Sequence, residues 1–165
     1  MRGIVNLLFK TCVNLFALSA LMVCSHANAQ DKAAALKASE AWLEKNRLEP
    51  DVVQTKSGLQ YKVLRSAQGC YPHPREPVTM HYEASLAADG RVVDSSYQRG
   101  APASFSLRKM IRGWKEGIPM MREGEMWQFF VPPNLAYGSK GSPPYVGPNV
   151  VMIFRVELIK VGRCK

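Results

Sequence analysis

Residues Val78 to Leu86 (VTMHYEASL) alternate between apolar and polar side chains, and this alternation constrains the fold more than any other feature of the chain. Successive side chains of a strand point to opposite faces of a sheet. The apolar residues are therefore predicted to face a core, and the polar residues to face solvent. A strand with one buried face is typical of an antiparallel sheet. The segment predicts such a sheet, with its apolar face covered by another element.

A short amphipathic segment is the candidate for that covering element. In the stretch from Phe105 to Gly117 (FSLRKMIRGWKEG), large apolar side chains recur at helical spacing. Gly117 and Pro119 indicate where the helix ends. The predicted apolar stripe consists of Met110, Ile111, Trp114 and Ile118. Trp114 has two interpretations, as an ordinary core residue or as the floor of a pocket into which the Ile111 amide points, and the helix alone does not decide between them.

Further strand patterns occur on both sides of this helix. They lie at 58–64, 91–94, 104–106, 124–131 and 150–160, and Asp89-Gly90 is a hairpin signal before the second of them. Loops rich in glycine and proline occupy 95–103 and 132–149. These antiparallel strands, with one internal helix across a curved sheet, predict an α+β fold.

The first 29 residues have the features of a secretory signal peptide. Arg2 and Lys10 are basic, the run from Cys12 to Cys24 is apolar and uncharged, and an A-x-A cleavage pattern ends at Ala29. We expect cleavage after Ala29 and export, with the periplasm as the destination. A lipoprotein anchored in the membrane through Cys24 is the alternative, which the large residues before that cysteine disfavour.

The segment at 30–48 is predicted to be a leader helix, joined by a linker at 49–57 to a domain at 58–165. It is rich in good helix formers, and Leu36, Ser39, Trp42 and Leu43 share one face. A helix of this length is marginal alone. It either docks on the following domain, which we favour, or pairs with a second copy, so the sequence leaves monomer and dimer open.

Charge and cysteine content limit which classes of partner, disulfide and metal site we expect. The net charge is +9, but the basic residues are interspersed with acids, so we expect no nucleic-acid partner. Cys70 and Cys164 are the even pair that remains after signal removal, which makes them disulfide candidates in an oxidising compartment. His73 and His81 are isolated and no C-x-x-C pair occurs, so we expect neither a metal site nor a cofactor.

Four segments carry a resemblance to a known family: GRVVDSS at 90–96, MIRGWKEGIPMMREGE at 110–125, PPNLAYGSKG at 132–141 and VVMIFRVELI at 150–159. In order and spacing they resemble the FKBP-type peptidyl-prolyl cis–trans isomerases, over about 58–161. The leader helix and signal peptide resemble the exported bacterial branch, which includes macrophage infectivity potentiator proteins. The resemblance implies a five- to six-stranded antiparallel sheet wrapped around the helix, and an isomerase acting on proline-containing polypeptides. It also implies macrolides as candidate inhibitors.

The resemblance assigns roles to individual residues. It implies that Trp114 is the floor for the proline ring, that the Tyr137 hydroxyl and the Ile111 amide bind substrate carbonyls, and that Asp94 lies near the carbonyl before proline. The implied substrate-binding residues are Tyr82, Val93, Phe105, Met110, Tyr145, Val146 and Phe154, with Tyr145 and Val146 in a loop that overhangs the pocket. In the family the last strand ends near the start of the strand holding Tyr82, which makes a Cys70–Cys164 bridge plausible.

The chain departs from the family pattern in its pocket walls. Val93 stands where the family usually has phenylalanine, and Ala103 lies near another position that is often aromatic. The loops before Phe105 and Met110 also differ in length from those of well-studied members. The isomerase remains the expected function, and Val93 and Ala103 are the features that favour the alternative, an FKBP-like chaperone or partner-binding module with weak isomerase activity.

Overall fold

The computed structural model describes residues 29–165. The predicted signal peptide, with Cys12 and Cys24, therefore lies outside the described residues except for Ala29. The chain divides into two compact units, Met1–Ala34 and Ala35–Lys165, and the architecture below is that of the second. Residues 29–46 are helical (α1). Within the described range, no helix is both long enough and apolar enough to cross a membrane.

The second unit contains a seven-stranded antiparallel sheet, which confirms the predicted α+β class. The strands are β1 (Val53–Gln54), β2 (Gln60–Arg65), β3 (Pro77–Leu86), β4 (Val92–Ser95), β5 (Ala103–Ser106), β6 (Met126–Val131) and β7 (Met152–Val161). Their spatial order is β1-β2-β6-β7-β3-β4, and β5 pairs with β3 off this path. Strand boundaries differ from the predicted ones by one or two residues, in part because Gly58 and Gly124 have positive φ and precede β2 and β6.

The two-residue strand β1 lies in the segment predicted to be a linker. It pairs with β2 through Val53 and Gln54, opposite Tyr61 and Gln60. A strand this short in a polar stretch has no alternation from which it could be predicted.

Strand β3 has the alternation predicted from its sequence. Its burial alternates without a break from Val78 to Leu86. The buried residues include Met80 and Tyr82, which are 0% and 6% exposed. Strand β3 pairs with β4, β5 and β7, so it connects most of the elements around its buried face.

The internal helix is shorter than predicted and begins later. Helix α2 spans Arg112–Gly117, so the prediction that Met110 and Ile111 belong to the helical stripe was wrong. Both have extended backbones, with ψ of 168° and 155°. A separate 3₁₀ turn at Leu107–Lys109 closes through the Met110 amide, and the chain must straighten before α2 can start.

Helix α2 packs very closely on strand β6. A Cβ atom at Gly113 would lie 2.6 Å from Val131 Cγ1, and one at Gly117 would lie 2.5 Å from Phe129 Cε1. Neither distance is compatible with a side chain unless its neighbours move. The two glycines therefore set the distance between helix and sheet, and with it the depth at which Trp114 lies.

From Ala35 onward, helix α1 contacts the sheet and the loop before β7. The buried Ser39 hydroxyl donates to the Asn149 carbonyl at 2.6 Å, and the Trp42 and Phe130 ring centroids are 5.8 Å apart. Asn46 donates to the buried Gln60 side chain at 2.8 Å. Leu36, predicted to share this face, is 40% exposed.

A disulfide ties the end of β7 to the loop between β2 and β3. Cys70 and Cys164 are bonded in the structure, with Cα atoms 5.6 Å apart. Backbone hydrogen bonds accompany it, from the His73 amide to the Arg163 carbonyl and from the Lys165 amide to the Tyr71 carbonyl, each 2.9 Å. The bridge closes a sequence separation of 94 residues.

Candidate functional site

A cavity of about 160 Å³ lies between helix α2 and the sheet. Strands β3, β4, β5 and β7 contribute to it, together with the extended segment before α2 and the loop after β6. Its lining is Tyr82, Ala84, Val93, Asp94, Phe105, Met110, Ile111, Trp114, Tyr137 and Phe154. This volume is well below the roughly 300–1,000 Å³ of drug-sized sites, so the cavity suits one side chain or small ring.

Trp114 is surrounded by three aromatic rings within the cavity. Tyr82, Phe105 and Phe154 meet it edge-on, with ring centroids 5.4, 5.6 and 5.2 Å away. Such edge-to-face pairs add about 0.5–1.5 kcal/mol each beyond the burial of their area. Trp114 itself is only 4% exposed. Its indole is thus a fixed floor, held by three walls from three different strands.

A hydrogen-bonded cluster stands at the rim. The Tyr82 hydroxyl donates to one carboxylate oxygen of Asp94 at 2.5 Å. Arg99 donates to the other carboxylate oxygen, and its second terminal nitrogen donates to the Tyr82 oxygen at 2.8 Å. The guanidinium carbon lies 5.5 Å from the Tyr82 ring centroid. Both Asp94 oxygens are therefore engaged, and the carboxylate orientation is fixed.

The sequence pattern does not predict that Arg99 contacts the candidate site. It lies in the turn between β4 and β5, where no periodicity indicates which way a side chain points. The available signal was that Arg99 follows the candidate carboxylate by five residues. Only the backbone turn brings the guanidinium back over Tyr82.

The charge state of the cluster follows from these contacts. Partial burial pushes the pKa of Asp94 upward, but the hydrogen bonds from Tyr82 and Arg99 outweigh it, so the pKa lies below its usual value. Burial and the hydrogen bond to Asp94 raise the pKa of Tyr82. Burial, and then the charge of Asp94, raise the pKa of Tyr137. At neutral pH the cavity therefore has one fixed carboxylate and two protonated phenols.

Two hydrogen-bond donors are available to a ligand. The Ile111 amide precedes α2, and no acceptor for it occurs within residues 29–165. The Tyr137 hydroxyl, on a side chain that is 37% exposed, likewise has no protein acceptor in that part of the chain. Because Ile111 and Tyr137 both line the cavity, a peptide at its mouth can accept from each.

The structure brings together nine of the residues predicted to form the site and adds Ala84. Ala84 lies opposite both Asp94 and Phe154 in the strand pairings, and its small side chain leaves room above the floor. Tyr145 and Val146 are not part of the lining. Tyr145 is 62% exposed, and Val146 is 5% exposed in the core, because its backbone pairs with Ser142 and turns its side chain inward.

Comparison with known proteins places this architecture in a family. The sequence model described as FKBP-type peptidyl-prolyl cis-trans isomerase matches residues 70–159, more than half of the chain. The chain belongs to the FKBP-type peptidyl-prolyl cis-trans isomerase family. A second model, described as the domain amino terminal to such isomerases, matches residues 15–63.

Named relatives of this FKBP-type chain include two bacterial Mip proteins. It is 46% identical over 125 residues to peptidyl-prolyl cis-trans isomerase Mip of Coxiella burnetii, covering 76% of the chain and 54% of that protein. It is 39% identical over 124 residues to outer membrane protein MIP of Legionella longbeachae, covering 75% and 53% respectively. The chain thus spans about half the length of the curated relatives it matches.

Solved structures share the FKBP-type fold. FkpA from Escherichia coli has a TM-score of 0.80 at 31% identity, with 92% of this chain and 70% of that one covered. A peptidyl-prolyl cis-trans isomerase from Pseudomonas syringae has a TM-score of 0.74 at 30% identity, with 79% and 96% covered. The second alignment covers nearly all of a solved isomerase.

Proposed function

We propose that this chain is a peptidyl-prolyl cis–trans isomerase that accelerates rotation about Xaa–Pro bonds in exported polypeptides. The observation that carries the proposal is the cavity itself. It is a single-ring space floored by Trp114, with two available donors, Ile111 N–H and the Tyr137 hydroxyl, at its mouth. Proline is the ring-bearing residue whose preceding peptide bond isomerises slowly enough to limit folding.

The chemistry needs no nucleophile. The barrier to rotation, about 18–20 kcal/mol, comes from resonance between the carbonyl and the nitrogen. Loss of water from the carbonyl weakens the charge-separated resonance form, so an apolar cavity lowers that barrier. The three aromatic walls exclude water from the bond once the proline ring rests on Trp114. Acceleration then reflects tighter binding of the twisted amide than of either planar form.

The remaining site residues hold the flanking chain. The Ile111 amide and the Tyr137 hydroxyl anchor substrate carbonyls on either side of the rotating bond. Asp94, kept ionised and oriented by Tyr82 and Arg99, presents a fixed negative charge near the carbonyl before proline. That charge favours the twisted state, in which the carbonyl carbon loses electron density from nitrogen. Tyr82, Val93, Phe105 and Met110 shape the space for the ring and its neighbours.

The proposed setting is the bacterial periplasm. The supports are the predicted signal peptide at 1–29 and the relatives, one of which is named an outer membrane protein. The proposed organisation continues with the leader helix at 30–48, the linker at 49–57 and the isomerase domain at 58–165. Proline-containing exported chains are the proposed clients and macrolides the proposed inhibitors, and a membrane anchor would require lipidation at Cys24.

The deciding experiment is isomerisation of Xaa-Pro test peptides by the purified protein, with several residues tried before proline. We expect clear acceleration that Trp114→Ala abolishes, with circular dichroism to show that the variant is folded. A folded wild-type protein that accelerates isomerisation of no peptide would refute the proposed isomerase activity. Suppression of client aggregation without acceleration would then favour a chaperone-like binding module, consistent with the aliphatic wall at Val93.

A further inference from the structure

A second organised cluster lies on the solvent face of the sheet, behind the cavity. His81 of β3 and Glu157 of β7 are paired on neighbouring strands. Tyr97, from the turn between β4 and β5, contacts both. The His81 and Tyr97 rings are stacked, with centroids 4.4 Å apart and planes 14° apart. The Tyr97 hydroxyl donates to Glu157 at 3.0 Å, and the Arg155 guanidinium lies 5.2 Å from its ring centroid.

Other contacts hold the partners of Tyr97 in place. Arg65 of β2 donates to the second carboxylate oxygen of Glu157 at 2.6 Å. The hydroxyl of Ser96, which is fully buried, contacts His81 Nδ1 at 2.9 Å and accepts from the Tyr82 amide at 2.8 Å. Burial and the hydrogen bond to Glu157 raise the pKa of Tyr97, so the phenol remains a donor.

The proposed site does not use this cluster directly, but the chain connects the two. Arg99 follows Tyr97 by two residues in the same turn, which closes with the Gly100 amide donating to the Tyr97 carbonyl at 3.0 Å. Arg99 is exposed, and the ion pair it forms with Asp94 is half-exposed. Such pairs contribute little when their partners must first be ordered. An anchored turn removes much of that ordering cost.

We propose that Tyr97 is a positioning residue: by docking on His81 and Glu157 behind the sheet, it holds the 96–102 turn so that Arg99 stays on Asp94 and Tyr82 at the cavity rim. The effect of this positioning on catalysis rests on the proposed isomerase function. Its consequence for the Asp94 carboxylate does not, because the position of Arg99 affects the Asp94 pKa whether or not a peptide is isomerised.

The test combines two readouts on one set of variants: kcat/KM for an Xaa-Pro peptide, and the pKa of the Asp94 carboxyl followed by carbon NMR. In Tyr97→Ala, we expect kcat/KM to fall about fivefold, equivalent to ~1 kcal/mol. The Asp94 pKa should rise toward its ordinary value as Arg99 leaves. Tyr97→Phe keeps the stacked ring and should retain most of both properties.

Two further variants separate positioning from general destabilisation. Tyr71→Ala is the matched control, because Tyr71 also lies beneath an arginine, with Arg122 4.5 Å from its ring centroid, but in a loop that contributes nothing to the cavity lining. It should change neither readout. In an Arg99→Ala background, Tyr97→Ala should have no additional effect, since the group it positions is gone.

Two results would overturn the proposal: a folded Tyr97→Ala protein with the wild-type Asp94 pKa, or full additivity of the Tyr97→Ala and Arg99→Ala effects. If Tyr97→Ala does not fold, His81→Ala, which removes the stacked partner, must produce the same rise in the Asp94 pKa. If the wild type accelerates no peptide, the isomerase function fails, while the Asp94 pKa still decides whether Tyr97 positions Arg99.

Discussion

Replacing Gly117 with alanine sets two opposing effects against each other. Gly117 is the last residue of α2 and has ordinary helical angles, φ −75° and ψ −43°. Alanine is better than glycine in a helix interior by about 1 kcal/mol. Local propensity therefore predicts a more stable protein. Tertiary packing predicts the reverse, because the new methyl group would lie 2.5 Å from Cε1 and 3.1 Å from Cδ1 of Phe129.

The packing effect should prevail. Phe129 is 1% exposed, so its ring has no open space to move into, and overpacking a filled core typically costs ~1–3 kcal/mol. Because the 2.5 Å contact is far inside van der Waals separation, the cost should lie in the upper part of that range, ~2–3 kcal/mol. After the gain in helix propensity, we expect a net loss of roughly 1–2 kcal/mol in the free energy of unfolding. Any relief by lifting α2 away from β6 also moves Trp114, so kcat/KM for an Xaa-Pro peptide should fall as well.

Urea denaturation followed by tryptophan fluorescence measures the first quantity. Gly147→Ala is the matched control, since a Cβ there meets only Val150 Cγ2 at 3.7 Å, and it should change stability by less than about 0.5 kcal/mol. In a Phe129→Leu background, the Gly117→Ala change should cost less because the smaller side chain leaves room. If Gly117→Ala is as stable as the wild type, α2 and β6 are not in contact as described.

Three further outcomes are expected. Tyr137→Phe should lower kcat/KM about fivefold, because one neutral hydrogen bond contributes ~1 kcal/mol; an unchanged value in the peptide assay would remove the hydroxyl from the mechanism. Breaking the Cys70–Cys164 bridge by reduction should destabilise the protein by up to ~4.7 kcal/mol, from the chain-entropy cost of a 94-residue closure, and a double serine variant should no longer respond to reductant in thermal unfolding. The pKa of Asp94 is lowered in the folded protein, so the stability that its carboxylate contributes is present above the unfolded pKa of about 3.9 and is lost as pH falls through the folded value. In acid titrations of unfolding free energy, Arg99→Ala should therefore lose stability less steeply than the wild type. Equal slopes of unfolding free energy against pH would argue against the ion pair.

The sequence was most informative where a side-chain pattern and the backbone shared one period. The alternation of β3 placed Tyr82 on the buried face correctly, because each residue of a strand reverses direction. It was less informative where the backbone changes direction between elements. The late start of α2 leaves Ile111 extended with an available amide, yet no capping side chain marks that boundary. The contact of Arg99 with Asp94 could not be predicted because a turn has no side-chain period. The inward orientation of Val146 likewise depends on its pairing with Ser142.

The strand order has a consequence for how the cavity forms. Strand β7, the last strand in the described sequence, lies between β6 and β3. Until it inserts, β1, β2 and β6 have no pairing to β3, β4 and β5, and Phe154 is missing from the wall around Trp114. The cavity thus depends on a pairing between residues far apart in the sequence, such as Tyr82 and Val156, and pairings of this kind form slowly in folding. A chain that becomes free to fold from its amino-terminal side onward would have no complete cavity until residues Met152–Val161 were also free to pair. Catalytic activity should therefore return in refolding experiments only together with the final cooperative phase.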